Sequence, residues 1–71
     1  MQPFTDKDFK EVLLYIENNS GIKLPETNYE ILKKFLNNRL KIHNYTINEY
    51  LNFIESNPDE FNELIDIVTI S

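Results

Sequence analysis

The chain has no cysteine and no tryptophan, and it has a single glycine, a single methionine and a single histidine. Without thiols, disulfides and thiolate metal sites are excluded. A small domain in an oxidising compartment usually depends on such staples, so the expected setting is reducing and cytoplasmic. One glycine leaves no glycine-rich loop to cradle a phosphate. No run approaches the ~20 apolar residues of a membrane span. The opening Met1-Gln2-Pro3-Phe4-Thr5-Asp6 has neither the basic start nor the apolar core of a signal peptide. No membrane insertion is expected. Positive charge is scarce too: seven Lys and Arg against twelve Asp and Glu give a net charge of −5, which weighs against a nucleic-acid partner.

What is present fits a small globular unit. At 71 residues the chain has room for one domain spanning residues 1–71. A domain of this size buries only about 60% of its unfolded surface, so every element must contribute an apolar face. Hydrophobic residues make up 41% and charged residues 27%, an ordinary globular composition. The charge is uneven. Between residues 28 and 44, Lys33, Lys34, Arg39 and Lys41 face only Glu30, whereas Lys7, Lys10 and Lys23 face eleven acids elsewhere. One basic segment sits in an acidic protein.

Four helix starts can be read. Thr5-Asp6-Lys7-Asp8 resembles a capping box, with Phe4 and Phe9 as its hydrophobic staple. Phe9, Val12, Leu13 and Ile16 follow on one helical face. Asn19-Ser20-Gly21 ends that helix, with Gly21 where a left-handed cap is needed. Thr27-Asn28-Tyr29-Glu30 reads as a second box, with Pro25 before it or at the first helical position. The second helix runs to about His43. Ile31, Leu32, Phe35, Leu36, Leu40 and Ile42 form its apolar arc, and Lys33, Lys34, Asn37, Asn38 and Lys41 lie opposite. Thr46-Ile47-Asn48-Glu49 is a third box with Tyr45 and Tyr50 as staple, and Tyr50, Leu51 and Ile54 point inward. Asn57-Pro58-Asp59-Glu60 is a fourth start, with Asn57 as cap and Pro58 at the first position. Phe61, Leu64, Ile65 and Val68 repeat the face. No segment alternates at period two. The expected fold is all-α, four helices with short connections. Its expected core is Phe9, Leu13, Ile16, Leu32, Leu36, Leu40, Leu51, Ile54, Leu64 and Ile65.

No catalytic set emerges. His43 has no metal-ligand partner at a recognisable spacing, and the end of a helix suits its imidazolium. Asp59/Glu60 and Glu63/Asp66 read as helix-dipole partners and a solvated face. No metal site is expected. Lys33, Asn37 and Lys41 form a stripe along the second helix, with Lys34 and Asn38 beside it. Such a stripe is either a solvated face or a docking surface for an acidic partner. Arg39 falls inside the apolar arc, where an unpaired guanidinium would be costly. Either it pairs with an acid from another helix, or that part of the arc faces a cleft.

The order of landmarks carries a resemblance. Phe9 leads into the first helix. Ser20-Gly21-Ile22-Lys23-Leu24, Ile31-Leu32, Arg39-Leu40-Lys41, Glu49-Tyr50-Leu51 and Leu64-Ile65-Asp66 follow at family spacing. Over nearly its whole length the chain resembles the N-terminal domain of CheR-type chemotaxis receptor methyltransferases. The resemblance implies a non-catalytic helical domain of an enzyme that transfers a methyl group from S-adenosylmethionine to receptor glutamates. A separate α/β domain, absent from this sequence, would hold the cofactor and do the chemistry. The resemblance also implies that the basic second helix contacts the cytoplasmic methylation helices of a chemoreceptor and lies beside the cleft between the two domains. Lys33, Lys34, Arg39 and Lys41 are then the partner-binding candidates, with Arg39 also a candidate cleft-facing residue near the cofactor.

Two positions depart from the family pattern. Asn28 stands where the family has Lys, and Phe35 stands at the family's first Arg. Val68-Thr69-Ile70-Ser71 resembles the start of the segment leading into the catalytic domain, which suggests an excised domain. The alternative is a freestanding helical adaptor or regulator in a signalling system with no linked enzyme.

Overall fold

Helix starts decide the layout. In a computed structural model, which describes residues 3–70, the Thr5 hydroxyl accepts from the Asp8 amide at 3.1 Å. The Asp8 carboxylate accepts from the Thr5 amide at 3.0 Å. This box opens α1 (Asp6–Ser20). Gly21, at φ 75°, closes it by donating its amide to Glu17 at 2.8 Å. A 3-10 turn at Glu26–Asn28 leads into α2 (Tyr29–His43). Asn44, at φ 56°, ends α2 in the left-handed region that Asn tolerates better than most residues. Thr46 and Glu49 form the second reciprocal box and open α3 (Ile47–Glu55). Pro58 holds the first position of α4 (Pro58–Val68), where its missing amide costs nothing. The described residues are all-α, as expected, with no strand. No described helix is long and apolar enough to cross a membrane.

Two expected caps are not formed. The Thr27–Glu30 box is replaced by the 3-10 turn, in which the Asn28 amide donates to Pro25 at 2.9 Å. Pro25 therefore precedes that turn and is not a first helical residue. The Asn28 side chain instead donates to the Val68 carbonyl at 2.8 Å and ties the start of α2 to the end of α4. Asn57 makes no side-chain cap either, because its amide group reaches back to the Phe53 carbonyl at 2.8 Å. Thr27 turns its hydroxyl to the Asn28 side-chain oxygen at 3.1 Å, and both asparagines donate their side-chain amides to a carbonyl at a helix C-terminal end.

The core runs through all four helices and includes Val12, Ile16, Leu32, Leu36, Leu40, Tyr50, Ile54, Leu64 and Val68. Phe9 is buried as expected, but Leu13, Leu51 and Ile65 are only partly buried and pack on its rim. Val12 and Val68 take central positions, and Ile47 from the first turn of α3 joins them. The α2 arc is narrower than its sequence suggests. Phe35 is its buried edge, while Ile31 and Ile42 lie beyond it, 37% and 63% exposed. Phe4 and Phe9 stack at 6.2 Å as a staple. Tyr45 lies against His43 and Phe53, at 5.1 and 5.6 Å.

Candidate functional site

The four basic candidates share α2, but the fold separates them. Lys33 turns toward α1, where its ammonium sits 5.3 Å from the centre of the Phe9 ring and 4.0 Å from Glu30. Lys34 and Lys41 are exposed and, seven residues apart, share one edge of the helix. Arg39 faces α4. The expected basic face is thus divided: Lys33 lies on the α1 flank of α2, and Lys34 lies on the α4 flank beside Phe35 and Arg39.

Arg39 is paired across helices. Its Nε lies 3.3 Å from Glu60, and its Nη2 donates to Glu63. The guanidinium also stacks over the Phe35 ring at 4.9 Å. Glu60 accepts a second bond, from the Tyr50 hydroxyl at 2.7 Å. Burial pushes the Tyr50 phenol well above its usual range, and the neighbouring Glu60 carboxylate pushes it further, since a second anion there would be repelled. Tyr50, Glu60, Arg39 and Glu63 form one chain of polar contacts joining α3, α4 and α2. Of the two roles left open for Arg39, the pairing with acids of another helix is present.

This arrangement corrects the reading of the acids. Glu60 and Glu63 are not a plain solvated face, because both hold Arg39. The signal in the sequence was Tyr50, an inward residue whose hydroxyl needs a partner when buried. Nothing local pointed to Glu60, ten residues further on.

Beside Arg39 an open groove of about 420 Å³ runs between α2 and α4, lined by Ile31, Lys34, Phe35, Asn38, Arg39 and Ile67. Its floor is apolar and its rim carries two cations. Phe35, one departure from the family pattern, supplies the ring under the guanidinium. Asn28, the other, ties α2 to α4. Among the described residues no group of three or more His, Cys, Asp or Glu side chains is arranged to hold a metal ion.

The family described as CheR methyltransferase, all-alpha domain, matches residues 7–69 of the chain. No curated protein and no solved structure matches it.

Proposed function

The chain belongs to the all-α domain family of CheR methyltransferases, and from that premise we propose that it is the non-catalytic domain of a chemoreceptor glutamate methyltransferase. Its task is to help recognise the cytoplasmic methylation helices of the receptor through α2. The observation that carries this reading is an exposed basic edge, Lys34 and Lys41, beside an apolar groove in which Arg39 is held in place by stacking and pairing. A methylation helix presents carboxylates. A basic edge on an otherwise acidic chain would steer it to this surface and disfavour other approaches.

S-adenosylmethionine belongs to the catalytic domain in this reading. This chain, with its single glycine, has no glycine-rich loop that could cradle a cofactor. The domain would work in the cytoplasm, where receptor methylation helices lie.

The test is charge reversal. Lys33→Glu, Lys34→Glu and Lys41→Glu together should weaken receptor binding and slow methylation by the full-length enzyme, without changing the far-ultraviolet circular dichroism of this domain. The defect should shrink as salt rises, because screening removes the wild-type advantage. A triple variant that binds and methylates like wild type at low salt would overturn the recognition role. The single reversals should rank Lys34 and Lys41 above Lys33, whose ammonium is engaged over Phe9.

A further inference from the structure

Arg39 holds two carboxylates of very different standing. Glu60 is only 11% exposed at its side chain and is held by both Tyr50 and Arg39. Glu63 is 50% exposed, and among the described residues its one hydrogen-bond and ion-pair partner is Arg39. Glu60 therefore belongs to the frame of the fold, whereas Glu63 covers a guanidinium that is already fixed without it. Stacking on Phe35 and the Nε contact with Glu60 keep Arg39 oriented if Glu63 swings away.

We propose that Glu63 is an intramolecular competitor in a docking groove. It occupies Arg39 until a partner helix brings a carboxylate of its own. The inference rests on the reading of α2 as a docking face and assigns the groove between α2 and α4 as the place where one partner carboxylate lands. Charge complementarity selects the occupant. The groove is lined by Lys34 and Arg39 beside the apolar surface of Ile31, Phe35 and Ile67; with Glu63 displaced, Arg39 keeps Glu60 at its Nε and offers its Nη2 side to an incoming carboxylate. An α-helix with an apolar side chain and a Glu or Asp one turn away matches both features, because residues three or four apart share a face. Exchange of one carboxylate for another conserves the ion pair, so docking leaves no buried cation unpaired.

Relief of the competition predicts that removing the Glu63 charge tightens binding. The probe is an alanine-based helical peptide carrying one Leu and one Glu four residues later, with a Gln-for-Glu peptide as control. It would be titrated by nuclear magnetic resonance at low salt against this chain. Glu63→Gln should tighten the Glu peptide roughly two- to five-fold, the scale expected for losing a half-exposed ion pair. It should leave the Gln peptide unaffected, and the shifted amides should map to α2 and α4. Lys34→Glu should weaken the Glu peptide.

The outcomes separate the two ideas. Weakening by Lys34→Glu without tightening by Glu63→Gln overturns the competitor and leaves the basic docking face standing. No effect of Lys34→Glu on a measurable affinity overturns the docking face itself. No binding of the Glu peptide to any form, or self-association of the chain through this groove in sedimentation, overturns the assigned occupant. Thermal melts of each variant exclude loss of fold as the cause.

Discussion

The two flanks of α2 are built on different physics. On the α1 side a cluster of rings does the work: Phe9 stacks on Phe4, meets Tyr29 edge-on at 5.3 Å, and lies under the Lys33 ammonium. On the α4 side the contacts are polar. Tyr50 donates to Glu60, Glu60 and Glu63 hold Arg39, and Asn28 donates to Val68. The first flank is held chiefly by burial of apolar rings, which is non-directional and little affected by screening, so it can tolerate small displacements. The second is directional, and its charges respond to screening and to competing ions. A surface that must exchange one ionic partner for another is better placed on the second flank, while the first keeps the helix in place.

The strongest challenge to this contrast is Phe9→Ala. It removes a buried ring shared by the whole α1 flank, and the expected loss is about 3 kcal/mol. For a domain this small that is a large fraction of total stability. The loss should be nearly the same at low and high salt. A strong salt dependence in chemical denaturation would show that Lys33 contributes through its charge and not chiefly by packing over the ring.

Arg39→Ala should come next, at about 2 kcal/mol. It strands the mostly buried Glu60 carboxylate, and partial solvent access reduces the penalty below that of a fully buried pair. Here the loss should change with salt, because the interaction removed is a charge pair that screening weakens. A melt unchanged by Arg39→Ala would mean that the polar flank contributes nothing to stability and that Arg39 serves recognition alone.

The same contrast explains what was legible in the sequence. The caps at Thr5 and Thr46 and the glycine stop at Gly21 are local, made by residues within four positions of one another, and they appear as read. So does the all-α architecture, since the 3.6-residue period is also local. The Thr27–Glu30 box and the Asn57 cap looked just as good but did not form: Asn28 and Asn57 donate instead to carbonyls that only the tertiary fold, or the end of the preceding helix, brings within reach. The basic candidates were visible as residue types. Their division between two flanks was not, because one helical step of about 100° sends Lys33 and Lys34 to different neighbours. The contact of Arg39 with α4 spans 24 residues to Glu63, and no pattern along the chain encodes which acid it meets.

The smallest expected effect is the most specific to the polar flank. Tyr50→Phe removes one hydroxyl and leaves the buried ring in place, so at neutral pH it should cost about 1 kcal/mol, the scale of a single hydrogen bond. Glu60 keeps Arg39 as partner, which limits the damage. The diagnostic lies in alkali. The Tyr50 phenol is raised above its ordinary value of 10.0 by burial first and by Glu60 second. In the unfolded chain it ionises near that ordinary value, so above about pH 10 the unfolded state binds fewer protons than the folded state. Stability must therefore be fully present below that pH and fall as pH rises beyond it. Tyr50→Phe should remove this contribution. Plotted against pH, the stability difference between wild type and variant should be flat up to about pH 10, then shrink and cross zero as the wild type loses ground. Contributions that the two proteins share cancel in the difference. A difference that stays constant to pH 12 would mean that Tyr50 ionises as easily folded as unfolded, and the link between α3 and the Arg39 pair would then be absent in solution.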